Sequence, residues 1–229
     1  MRSARLWKKI VIVAALFIYG LTGWSFAQEN QVDLNALISE TQKMGEKADE
    51  MTLVWWLPEA YWQAVFAQDA TMTEAQVEEF LSVLRPYTLV AVVDGKIGPF
   101  GGVTYKAEKD IRSGTRFIDN QGSEYVPFGE DEVDADAKNL LSAMKPVLAN
   151  ILGPMGQNVN FYLFPAESKE GKKLADPTKE GTFLVTLTDR AFKWRLPLGS
   201  LLPPKVCPVD GEKMSGAWKY CPWHGVELK

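Results

Sequence analysis

The stretch "TLVAVVD", residues 88–94, is an unbroken apolar run closed by an aspartate, with Pro86 just before it and the glycine-containing "DGKIGPFGG" just after. A run of this length between turn residues predicts a buried strand. Upstream, "TMTEAQVEEFLSVLRPY" predicts a helix: Thr71 and Glu74 have capping-box spacing, Val77, Phe80, Leu81 and Leu84 form an apolar stripe, and Pro86 ends it. Further upstream, "TLVWWLP" is a second strand. Pro58 opens the next helix, where Tyr61, Trp62, Val65 and Phe66 share one side. Nearer the N-terminus, "VDLNALISETQKM" has helical spacing at Leu34, Leu37, Ile38 and Thr41, and "GEKADE" is a polar linker. Strands and helices in this order predict an α+β fold, with a mixed or antiparallel sheet and helices on one face.

The body, residues 28–200, has the pattern of a duplication over 71–129 and 134–199. Each half reads as helix, strand, loop and hairpin. Asp119 precedes Pro127 and Gly129 by the same counts that separate Asp189 from Pro197 and Gly199. Such halves predict one sheet with a pseudo-twofold axis. Pro146 falls inside the second long helical segment and removes a hydrogen bond there, which predicts a kink or two short helices.

Residues 1–27 have the layout of an export signal. Arg2, Arg5, Lys8 and Lys9 form a basic leader, an apolar run begins at Ile10, and Ser25 and Ala27 are small residues before a cut at Gln28. Cleavage predicts a periplasmic or secreted protein with no membrane span. The alternative is a single N-terminal membrane anchor over Ile10 to Phe26, at the short end of what crosses a bilayer. Neither cysteine lies near the cut, which excludes a lipoprotein anchor. The formal net charge of −4, without a long Lys/Arg run, argues against nucleic acid as partner, because phosphate backbones require clustered positive charge. The partner expected is a protein or an envelope component.

The tail, residues 201–229, holds both cysteines and the only histidine of the chain. "CPVDG" at 207–211 and "CPWHG" at 221–225 are two Cys-Pro-x-x-Gly units. This stretch resembles a zinc ribbon, whose knuckles commonly run Cys-Pro-x-Cys-Gly, and the likeness covers only the tail. The resemblance implies metal ligation by Cys207, Asp210, Cys221 and His224, with structural zinc as the cofactor. It departs from the pattern at two ligands. Imidazole is an ordinary zinc ligand; Asp210 is less usual among thiolates and also belongs to an ordinary Asp-Gly turn. A disulfide between Cys207 and Cys221 is the alternative, and an exported protein favours it.

Trp55, Trp56 and Tyr61 cluster around Pro58. Alternation along a strand sends Trp55 and Trp56 to opposite faces, so one belongs to the core, and the other, with Tyr61, is a candidate contact for a sugar, lipid or peptide. Filling the core is the simpler role for all three. "GEDEVDADA" lacks the Gly and the final Glu of a calcium loop and fits the acidic start of a helix. "DGKIGPFGG" lacks the Gly-Lys-Ser/Thr ending of a phosphate loop. Taken together, these features predict a non-enzymatic binding or assembly module with a clasped tail. Two other functions fit parts of the sequence: an envelope hydrolase with carboxylates near Trp55 and Trp56, and a metal-handling or thiol redox-sensing protein acting through the tail.

Overall fold

The computed structural model describes residues 32–229, so the signal segment at 1–27 lies outside the described residues. The fold is α+β, with helices and antiparallel sheets. Its first elements are α1 (Leu34–Thr41), β1 (Gln42–Met44), β2 (Glu50–Trp56), α2 (Glu59–Phe66), α3 (Glu74–Leu84), β3 (Tyr87–Ile97) and β4 (Val103–Tyr105). There follow α4 (Glu108–Gly114), β5 (Thr115–Ile118), β6 (Glu124–Tyr125), α5 (Ala135–Ile151) and β7 (Asn160–Pro165). The last are β8 (Gly181–Leu187), β9 (Arg190–Leu196), β10 (Lys205–Val206) and β11 (Lys213–Met214). Among the described residues, no helix is long and apolar enough to cross a membrane.

The run 88–94 is the centre of the larger sheet. β3 pairs with β2 on one edge, and on the other with β7 along its first part and β4 along its last, all antiparallel. With neighbours on both sides, Leu89, Val90, Ala91, Val92 and Val93 are almost wholly buried. β1 extends this sheet from β2, with Gln42 opposite Trp55. The polar "GEKADE" segment is therefore a hairpin turn, and the short strand before it was not expected from the sequence.

Alternation assigns the two faces. Trp55 faces α2 and meets Tyr61 edge-on at 5.2 Å; Trp62 continues from there to Phe80 of α3. Trp56 faces the opposite way and meets Phe183 of β8 at 4.9 Å. Phe183 belongs to a second sheet, ordered β6-β5-β8-β9, where it stacks between Phe117 at 4.9 Å and Trp194 at 5.0 Å. Phe164 of β7 also touches Phe117 at 5.6 Å. Helices cover one face of the larger sheet and the smaller sheet covers the other, around one aromatic core.

The single sheet expected of the two halves is thus corrected. Of the strands that such a duplication would match, β3 pairs with β7 and β5 with β8, but each pair lies in its own sheet, because the hairpins fold across the aromatic face instead of extending its edge. Pro146 is accommodated inside one helix, α5, and the segment is not two short helices. Asp134 caps that helix, its Oδ1 accepting the Asp136 N–H at 2.8 Å, which agrees with the acidic start expected there.

The capping box of α3 is formed two residues later than expected. Thr73 is the N-cap; its hydroxyl accepts the Gln76 N–H, and the Gln76 side chain accepts the Thr73 N–H at 3.0 Å. Thr71 instead bonds the carboxylate of Asp69. Replacing Thr73 by Ala should lower stability by about 1 kcal/mol in urea unfolding, with Thr71→Ala costing less. Equal losses at the two positions would contradict this assignment.

Candidate metal centre

The two knuckles repeat each other bond for bond. The Gly211 N–H donates to the Cys207 carbonyl at 2.8 Å, and the Gly225 N–H to the Cys221 carbonyl at 2.9 Å. The Cys207 N–H donates to Glu212 O at 2.9 Å, and the Cys221 N–H to Val226 O at 2.8 Å. Both turns need a left-handed residue, and Gly211 and Gly225 supply it at φ 76° and 66°. In each knuckle the next two backbone N–H groups after proline point at the sulfur: Val209 and Asp210 toward Cys207, Trp223 and His224 toward Cys221.

This local folding brings the ligand atoms together. Cys207 Sγ and Cys221 Sγ lie 3.4 and 3.5 Å from His224 Nδ1, and all three atoms fall within 4.8 Å of one another. A tetrahedral cation bonded to sulfur at about 2.3 Å and imidazole nitrogen at about 2.0 Å holds those two atoms about 3.5 Å apart. The Cys2His cluster therefore has the dimensions to hold a metal ion. Asp210 stands beside it: Oδ2 is 3.7 Å from Nδ1, while Oδ1 accepts the Glu212 N–H at 3.0 Å. Both cysteines are free thiols in this structure and are buried.

The two thiols differ in their surroundings. Burial pushes the Cys207 thiol up. At Cys221 burial acts in the same sense but is outweighed by the His224 and Trp223 N–H groups and the His224 ring, which bring the thiol below its ordinary value. The Glu212 N–H, the Cys207 thiol and His224 hold the Asp210 carboxyl down. Donors aimed at sulfur favour the thiolate, the form that binds metal.

The sequence did not reveal what surrounds this cluster. Met214 and Leu228 complete a small buried group with the two cysteines, separate from the main core. Val206 and Lys229 exchange backbone hydrogen bonds at 2.8 and 3.3 Å, and Lys205 Nζ donates to Trp218 O at 2.8 Å. A four-residue buried group is small for a module held by packing alone. The alternation of apolar residues near the chain end was the available signal.

Of the two roles open to Trp55, Trp56 and Tyr61, core filling holds and the contact role for a sugar, lipid or peptide is corrected. All three are at most 3% exposed, consumed by the helix interface on one side and the second sheet on the other. A cleft of about 480 Å³ does lie between α2, α3 and the segment 166–178, bordered by Trp56. Its Glu59 is ion-paired with Arg85 at 3.0 Å, and its Asp176 accepts both the N–H and the hydroxyl of Thr178. These carboxylates are engaged with their own neighbours. In comparisons with known proteins, no family model, no curated protein and no solved structure matches this chain.

Proposed function

We propose that this chain is an exported, periplasmic or secreted, non-enzymatic binding or assembly module whose tail is clasped by a structural zinc ion. The ligands are Cys207, Cys221 and His224, with Asp210 as the fourth. The observation that carries the clasp is the pair of sulfur-to-nitrogen distances, 3.4 and 3.5 Å, which match the edges of a tetrahedral thiolate and imidazole set. Asp210, with Oδ2 3.7 Å from Nδ1, lies outside the three-residue cluster and has to swing inward to complete the set. Two thiolates, an imidazole and a carboxylate suit zinc, a cation without redox chemistry of its own and tolerant of mixed N, O and S ligands. Support for a module that binds by its surface comes from the tail, which exposes Trp218, Tyr220 and Trp223. Each half of the body we also read as one copy of a duplicated unit. The offset from Asp119 to Asp189, applied to the β5–β8 register, exchanges the pair Thr115–Leu187 with Phe117–Val185.

Intact mass and bound-metal analysis of the protein purified from its own compartment tests the clasp. The expected result is one zinc per chain with both cysteines reduced. A metal-free chain lighter by two hydrogens would replace zinc by the Cys207–Cys221 disulfide.

A further inference from the structure

A second cluster of charge lies away from the tail, where the edges of the two sheets meet. Along β9, Phe192 and Trp194 point into the core while Lys193 and Arg195 are exposed on the other face. Lys43 of β1 reaches the same place, its Nζ 5.9 Å from the centroid of the Trp194 ring. With Glu40 and Leu198, these three cations line a depression of about 370 Å³.

Among the described residues, no carboxylate forms an ion pair with Lys43, Lys193 or Arg195. Glu40 is the acid nearest to hand, and its oxygens are already committed. Oε1 accepts the Gly199 N–H at 2.9 Å; Oε2 accepts the Ser200 N–H at 3.0 Å and the Ser200 hydroxyl at 2.6 Å. The depression is thus lined by three cationic side chains and one occupied carboxylate, in a chain whose formal net charge is −4. Cations grouped on one surface raise the local potential and favour an anion that shares the space.

We propose that this depression binds a phosphate-type oxyanion, either free or as the exposed phosphate of an ester. Three cations against one carboxylate leave two positive charges, which a phosphate dianion balances and a single carboxylate does not. The planar guanidinium of Arg195 offers paired N–H groups to two oxygens, while Lys43 and Lys193 act as point charges on the others. Leu198 lies at the margin of the depression and the buried Trp194 ring underlies Lys43, so the lysine head is held over an apolar floor.

Titrating the full chain with inorganic phosphate at low ionic strength, against chloride of equal ionic strength, tests this by backbone amide NMR. Saturable shifts centred on residues 43, 193 and 195, absent with chloride, are expected. The double change Lys193→Gln with Arg195→Gln should weaken phosphate binding by at least about tenfold, as expected for charge-assisted hydrogen bonds. Lys109→Gln, an equal type of charge loss on α4, should leave it unchanged. A second arm uses phosphatidylcholine vesicles with and without phosphatidic acid. Binding to phosphatidic acid vesicles alone, lost in the double variant, assigns the esterified source; binding to free phosphate assigns the soluble one. Failure in both arms, equal shifts with chloride, or binding indifferent to the double change in a folded variant overturns the proposal.

Discussion

Cys207→Ser should empty the clasp and loosen the tail while the body stays folded. Serine keeps the size of the side chain, but its hydroxyl stays protonated at neutral pH and supplies no anionic sulfur. Cys207 is wholly buried and belongs to a cluster of only four buried residues, detached from the core that holds the two sheets. Because such a site is assembled only in the folded tail, metal affinity and tail folding are one equilibrium. Zinc content should fall from one per chain to background, and limited proteolysis should cut within 205–229, while the thermal transition of the body is preserved. Asp210→Asn should reduce affinity without abolishing it, since an amide oxygen is a weaker ligand than a carboxylate. A Cys207→Ser protein that keeps its metal and a protease-resistant tail would refute the clasp.

The second large effect is expected in the body, at the charged contact between the sheets. Arg190 of β9 reaches Asp94 of β3 at 2.6 Å, bonds the Thr52 hydroxyl at 2.6 Å, and lies 3.4 Å from Glu50. Lys106 adds a contact to the same Asp94 oxygen at 2.8 Å, and Thr52 donates to the other at 3.0 Å. Asp94 is only 3% exposed, so removing Arg190 strips a buried carboxylate of its main buried partner. Arg190→Ala should cost about 3 kcal/mol, the low end for a broken buried pair because Lys106 and Thr52 still contact Asp94, and yet a large share of the stability of an ordinary domain. Joint replacement, Asp94→Leu with Arg190→Met, should cost less than the single change, because the charged partner it strands at Asp94 is the half-exposed Lys106 and no carboxylate is left buried there.

The same contact dictates an acid response. Burial disfavours the Asp94 carboxylate, yet the hydrogen bonds and charges of Lys106 and Arg190 outweigh it and hold the carboxyl below its ordinary value. A carboxyl lowered in the folded state contributes stability in full above its unfolded pKa, about 3.9, and loses it as pH falls through the lower folded value. Urea unfolding from pH 6 down to pH 2 should therefore show a shallower acid decline in Asp94→Asn than in the natural sequence. Parallel curves would show that Asp94 carries no such linkage.

The central strands β2 and β3 of the larger sheet were legible because their apolar runs are long and bounded, as at 52–58 and 88–94. Helices α1, α2 and α3 followed from the spacing of Leu37, Tyr61 and Leu81, whereas the short α4 was not expected. What escaped were features set by partners distant in sequence. "QKM" has no strand pattern of its own and becomes β1 because β2 offers it an edge. Two candidate capping threonines stand two residues apart, and Gln76, two residues beyond the expected Glu74, selects Thr73. At the tail, Cys207, Cys221 and His224 could be chosen from the resemblance to a zinc ribbon because a knuckle is local. Arg190 and Asp94, 96 residues apart, could not. For Trp55 and Trp56 core filling was the simpler reading of the sequence, and it holds; which elements cover their two faces, helix α2 on one side and the second sheet on the other, was not legible there.

The carboxylate of Glu40 has a consequence for the order of events. It joins α1, at the start of the described chain, to Gly199 and Ser200, at the root of the tail, across 159 and 160 residues. During synthesis the acceptor emerges long before its donors, and the contact cannot close until nearly the whole body has been made. The orientation of the tail root is thus decided last. A ribosome that stops short of residue 199 leaves a chain whose first helix still waits for the segment that would cover its acid.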